Sequence, residues 1–204
     1  HESICHNPRR LSQALSGIRR IVVCNQDRSP AEAEVVISNL VEALEGREKI
    51  RITHIVPLGA ALGGSDRVNG TSRGSQEWTD VERMLTNAVD KLPGSIVRTL
   101  VTGDLIGPPA YGNGNAKHSP ANKILMDCLE GYTLPHYPLY PTDVRDVASA
   151  TLHTFYEVQD SPHERYLLAT GRPVYPNELA RRVQAIFPHF GIQDQTNGWL
   201  TGLY

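Results

Sequence analysis

The hydrophobic positions of this chain fall into short β-branched runs that alternate with longer stretches of helical period. Residues 18–24 form the first run, and Ser29-Pro30-Ala31-Glu32 behind it supplies an N-cap, a proline at the first helical position and a capping-box glutamate. A helix is predicted to start there. Val36, Ile37, Leu40, Val41 and Leu44 then gather on one face, with Gly46 placed to end the helix. Residues 50–58 read as the next strand. A loop rich in Gly, Ser and Asn follows over 59–76, and the box Thr79-Asp80-Val81-Glu82 predicts a second helix that buries Val81, Met84, Leu85, Ala88 and Leu92.

Residues 95–101 read as a third strand, which Gly103, Gly107, Pro108 and Pro109 turn out of the sheet. A polar loop over 111–118 leads to Ser119-Pro120, the cap of a helix carrying Ile124, Leu125, Cys128 and Leu129 and stopping at Gly131. Val144, Val147, Ala148, Thr151, Leu152 and Phe155 mark a long helix, residues 165–170 a fourth strand, and residues 176–187 a final amphipathic helix. Strands alternating with helices of this length imply βαβ units and a parallel sheet, an α/β Rossmann-like architecture in a single domain over 1–204. Residues 191–204 show no clear period.

Composition narrows the functional classes. The 204 residues are 40% hydrophobic and 21% charged with a net charge of -2, which suits a globular domain and gives no field to attract nucleic acid. Cys5, Cys24 and Cys128 are odd in number and lack Cys-x-x-Cys spacing, so they are expected to be reduced thiols, neither a disulfide framework nor a metal site. No apolar run reaches the length of about 20 residues that spans a bilayer, and the first ten residues lack a signal-peptide core. A cytoplasmic protein with no nucleic-acid or membrane partner is the expectation.

Asp143-Val144-Arg145-Asp146-Val147-Ala148, followed by residues 165–171 (RYLLATG) and then Glu178-Leu179-Ala180, resembles the C-terminal half of the extended short-chain dehydrogenase/reductases, the NAD-dependent epimerase/dehydratase-like family. Further matches fall in order. Residues 14–18 with Ile21-Val22-Val23 resemble the entry to that family's fourth strand. Asn39-Leu40-Val41-Glu42-Ala43 is similar to the helix behind it, Arg51-Ile52 leads the strand that ends in the catalytic serine, and Gly107-Pro108 matches the Gly-Pro after the sixth strand. The resemblance covers residues 11–188. It implies an extended short-chain dehydrogenase fold without the N-terminal nucleotide-binding half, with residues 109–142 and 171–204 as substrate-region elements.

The same resemblance implies a chemistry that this sequence does not carry. None of the seventeen glycines forms the Gly-rich series that cradles a dinucleotide pyrophosphate. The family reduces with a Tyr and a Lys four residues on, yet none of the eight tyrosines here has Lys at that distance. By its helix, the pair falls on Trp78 and Glu82, with a shift of three residues toward Ser75 and Thr79 also compatible with the spacing. The serine falls on Val56-Pro57. An indole supplies no acidic proton, and a carboxylate opposes an anionic cofactor. No cofactor is therefore expected, and NADP only if an N-terminal half is supplied.

A family pocket would lie at the carboxyl ends of the strands, bordered by Trp78, Glu82, Thr102, Leu105 and Tyr111 as substrate contacts. Asp104, just past a buried strand, is a candidate general acid or base; it could equally bond turn amides beside Gly103 and Gly107. His118 sits on the loop that covers substrate in the family, where an imidazole could carry protons or stay solvated. Asp143 is explained by capping, Arg145 could reach substrate or, the preferred reading, bond the Gly-Pro loop, and Trp78 fits packing as well as a pocket wall.

Together these readings point to a divergent protein acting on a hydrophobic small molecule without hydride transfer, as an isomerase, lyase or cyclase. The alternatives are an NADP-dependent carbonyl reductase lineage with its cofactor half outside this chain, and a non-catalytic binding pseudoenzyme. The strand at 18–24 would lack its family neighbour, so a homodimer is expected to close that edge.

Overall fold

The computed structural model describes residues 4–25, 28–58, 73–108, 120–130, 138–157, 161–169 and 171–188. After a single 3-10 turn at Ile4–His6 the elements are α1 (Pro8–Ala14), β1 (Arg20–Cys24), α2 (Pro30–Ala43), β2 (Arg51–Pro57), α3 (Arg73–Val89), β3 (Ile96–Thr102), β4 (Asp104–Ile106), α4 (Pro120–Glu130), β5 (Pro141–Asp143), α5 (Val144–Tyr156), β6 (His163–Leu168) and α6 (Pro176–Ile186). They gather into two compact units, residues 1–102 with 149–167, and residues 103–148 with 168–204.

The first unit holds a sheet in the order β1-β2-β3-β6, parallel across β1, β2 and β3. Its register aligns Ile21 with Ile52 and Ile52 with Val97, so one apolar row crosses three strands. That row belongs to a core with Ala33, Val36, Ile37 and Leu40 of α2 and Trp78, Val81, Leu85 and Val89 of α3. Burying each large aliphatic side chain there stabilises the fold by about 1.5–3 kcal/mol. The start of α2 matches the sequence signal: the Ser29 hydroxyl accepts from Glu32 N at 3.3 Å, and Glu32 Oε2 accepts from Ser29 N at 2.9 Å.

Three features of the helices and the main sheet differ from the sequence reading. Helix α3 begins at Arg73, six residues before the Thr79 box, and Thr79 is exposed within it. Trp78, Val81, Leu85 and Val89 recur every three or four residues, and burial of that stripe outweighs the local cap signal. Strand β6 runs two residues earlier than expected, because Val97 N donates to Pro162 O at 2.8 Å and the Leu168 carbonyl is taken by the Thr142 hydroxyl. Helix α1 was not anticipated, although Asn7-Pro8 is a start signal: Asn7 Oδ1 accepts from Arg10 N at 3.1 Å.

Among the described residues strand β1 is an edge of its sheet, and Val22 on it is 45% exposed. Helix α1 packs against α2.

The second unit contains the parallel pair β4-β5, in which Asp104, Leu105 and Ile106 face Pro141, Thr142 and Asp143, together with an antiparallel bridge between Leu139 and Val174. Ile124 of α4, Leu139, and Ala180 and Val183 of α6 form its apolar cluster. Both β4 and β5 are only three residues long, too short to leave a periodic signal in the sequence.

Candidate functional site

The carboxyl ends of parallel strands are where a Rossmann-like sheet presents its ligands, and in the first unit these ends carry Val56, Pro57 and Thr102. Val56 is buried in the core. Thr102 is wholly buried, with its hydroxyl 3.5 Å from the Val56 carbonyl. Trp78 lies in the core of α3 at 6% exposure. Glu82, one turn further along, places its carboxylate 3.5 Å from the Arg165 guanidinium of β6. The two α3 positions on which the helix alignment puts the family's Tyr and Lys are thus a core indole and a carboxylate facing an arginine, and the register three residues earlier puts them on Ser75 and Thr79.

In the second unit, Gly103 and Asp104 are fixed by backbone partners. Gly103 N lies 3.1 Å from both the Leu168 carbonyl and the Thr142 hydroxyl. A Cβ on Gly103 would sit 1.9 Å from the Tyr140 carbonyl oxygen, so this close approach requires glycine. Asp104 N donates to that carbonyl at 2.8 Å, and Asp104 Oδ2 accepts from Tyr140 N at 2.7 Å. The carboxylate therefore does what the turn-bonding alternative required of it, with Tyr140 as the partner rather than an amide beside Gly107. Leu105 is half-buried and stands opposite Thr142.

The Asp143 motif has a structural explanation. Asp143 Oδ1 accepts from Arg145 N at 2.8 Å, and both carboxylate oxygens receive the Arg145 guanidinium, Nε at 2.9 Å and Nη2 at 2.5 Å. Those bonds from Arg145 draw the Asp143 carboxyl down to about 2. Arg145 was expected to bond the Gly-Pro loop, but Asn122 of α4 does so: its side-chain amide receives Gly107 N at 3.2 Å and donates to Gly107 O at 2.9 Å. Gly107 has a φ of 149° and packs so closely on Val144 that an added Cβ would lie 2.5 Å from its Cγ2. Val144 is thereby the motif residue that meets the Gly-Pro turn. Tyr111 and His118 lie outside the described residues.

Two polar groups are buried inside the sheet of the first unit. His54 is completely buried on β2, with Nε2 3.0 Å from Asn25 Nδ2, and burial followed by the nearby Arg165 charge lowers its pKa to about 4. Arg98 on β3 is 1% exposed, with Nε 3.7 Å from Glu157 and 4.0 Å from Glu164, while the Tyr166 hydroxyl lies within hydrogen-bond reach of both carboxylates. Sequence offered only an arginine inside an apolar run. Among the described residues no cluster of three or more potential metal ligands occurs, and no helix is long and apolar enough to cross a membrane.

No family model matches the sequence, and no curated protein matches it. Solved structures do match. The UDP-glucose 4-epimerase of Thermotoga maritima, determined with UDP-glucose, superposes with a TM-score of 0.70 over 97% of this chain and 70% of its own at 14% identity. The fold is that of the extended short-chain dehydrogenase/reductases. A reductase engineered for asymmetric catalysis gives a TM-score of 0.71 over 94% of this chain and 69% of its own at 17% identity. The dTDP-glucose 4,6-dehydratase of Bacillus anthracis, in complex with NAD, gives 0.67 over 95% and 64% at 14% identity. This chain therefore spans about two thirds of the length of these epimerase, reductase and dehydratase structures.

Among the described residues, the groups on α3 fit a dinucleotide poorly: by the helix alignment Glu82, a carboxylate, takes the place of the family's lysine and opposes an anionic cofactor.

Proposed function

We propose that this protein is a short-chain-dehydrogenase-fold protein that acts on a hydrophobic small molecule without transferring hydride. The observation that carries this reading is the pair on α3. Trp78 is committed to the core and Glu82 faces Arg165, so neither a phenol to donate a proton nor an ammonium to lower its pKa stands there. Epimerases, dehydratases and reductases of this fold depend on NAD chemistry in the family it resembles, whereas the chemistry left to this chain is proton transfer, as in an isomerase, lyase or cyclase. Asp104 and His118 are the candidate proton carriers, and Leu105 and Tyr111 the candidate substrate contacts; Trp78 and Thr102 are both buried.

One observation favours a second reading, a non-catalytic binding protein. The Asp104 carboxylate already holds the Tyr140 amide at 2.7 Å, which is a structural use of that group. Incubating the protein with a small-molecule library in deuterated water separates the two. Protein-dependent deuterium uptake into a ligand, lost in His118→Ala, supports proton transfer, while ligand binding without exchange supports the binding protein. Binding of NAD or NADP at micromolar concentration would overturn the common premise of both and favour a reductase lineage.

A further inference from the structure

At the amino ends of β1 and β2, opposite to the strand ends that present ligands in this fold, the first unit carries a cleft of about 580 Å³ lined by Gly17, Ile18, Arg19, Arg20, Lys49 and Arg51. We propose that this cleft is an anion site that takes a small molecule bearing a diphosphate or triphosphate group.

The chain brings the cations together by its backbone. Gly17, at φ 73°, turns the chain out of α1 and into β1, and Lys49 at φ 57° makes the corresponding turn before β2. The two segments are then joined where Arg51 N donates to Arg19 O at 2.8 Å, while Lys49 N is anchored on the Pro93 carbonyl at 2.8 Å. Four cationic residues line one opening, and no carboxylate lines it among the described residues. Two of them are also held in place: the Arg20 guanidinium stacks 4.7 Å from the centre of the Tyr156 ring, and Arg51 Nη1 donates to the Glu157 carbonyl at 2.8 Å.

Arranging like charges side by side is unfavourable without a counter-charge, so an anion of more than one charge offsets the repulsion that a single carboxylate would leave. Guanidinium forks match phosphate oxygens in pairs, whereas the lysine supplies a point charge. The overall charge of -2 gives no general attraction for anions, which makes the local accumulation a property of this cleft.

Calorimetry with inorganic pyrophosphate tests the proposal on the full chain. Saturable binding is expected that weakens as salt rises to about 0.15 M, where charges are screened beyond roughly 8 Å. Arg19→Gln/Lys49→Gln should raise the Kd roughly tenfold or more, in keeping with the loss of two direct charge contacts. Arg9→Gln/Arg10→Gln, which removes the same charge from exposed positions of α1, should leave it unchanged, and a melting curve on each variant shows that the fold is intact. Pyrophosphate that fails to bind, or that binds equally well to both double variants, overturns the site. Phosphatidylserine vesicles provide the other phosphate source. Cosedimentation lost in the Arg19/Lys49 variant, without pyrophosphate binding, overturns the diffusible ligand in favour of a lipid headgroup.

Discussion

Asp104 and Tyr140 hold each other twice, Asp104 N donating to the Tyr140 carbonyl at 2.8 Å and the Asp104 carboxylate receiving Tyr140 N at 2.7 Å. The pair joins the start of β4 to the residue before β5, so the carboxylate has a structural task whatever else it does. Asp104→Ala leaves the Tyr140 amide without its side-chain acceptor and is expected to cost about 1–3 kcal/mol in chemical denaturation. Asp104→Asn keeps an acceptor oxygen and should cost less than Ala. In a catalytic role, by contrast, Asp104→Asn would lose turnover by roughly a hundredfold at nearly unchanged stability.

His54 predicts an acid-sensitive fold. Its pKa of about 4 lies below the ordinary value of 6.5, so the unfolded chain binds the proton more readily than the folded one. Its contribution to stability is complete above pH 6.5 and is lost as pH falls toward 4, on the order of 3 kcal/mol over that window. Denaturant melts across this range should show the loss, and His54→Gln should flatten it. An unchanged pH slope in the variant would assign the acid sensitivity to other groups.

Arg98 makes the opposite kind of demand, because a cation at 1% exposure depends on Glu157 and Glu164 for its counter-charge. Removing that counter-charge in Glu157→Gln/Glu164→Gln is expected to destabilise by about 3–5 kcal/mol, whereas Arg98→Met replaces the charge with an apolar stem and should cost less. Thermal melts of the two variants give the order directly. A smaller loss in the double variant would contradict the dependence.

Strand β1 carries the expectation of self-association. Val22 is 45% exposed on an edge strand, and symmetric pairing with a second copy would cover it. Light scattering should give a dimer that Val22→Lys converts to monomer, with faster amide exchange over residues 20–24. A wild-type monomer would refute the pairing.

How much of this was legible in the sequence depends on the reach of each interaction. The α2 start was readable because Ser29 and Glu32 are three residues apart and cap one another. The start of α3 was not, since Trp78 and Val89 become a helical stripe only through burial against the sheet. Asp143-Arg145 is a local pair within a motif the sequence displayed, yet Asn122 on Gly107 spans fifteen residues and Asp104 on Tyr140 spans thirty-six, distances at which no periodicity helps. That Trp78 and Glu82 stand where the family has Tyr and Lys was visible because it is a matter of residue identity, whereas their surroundings needed coordinates: the indole lies in the core and the carboxylate beside Arg165.

The proposal that this protein transfers no hydride is tested most directly by following nicotinamide absorbance when the protein is mixed with NADH or NADPH and a panel of ketones, aldehydes and nucleotide sugars, with product analysis for epimerised sugars. With Trp78 in the core and Glu82 facing Arg165, the predicted result is no protein-dependent oxidation of either cofactor and no epimerised product. Turnover above the protein-free control that survives repurification would contradict the account and place a proton donor elsewhere in the chain.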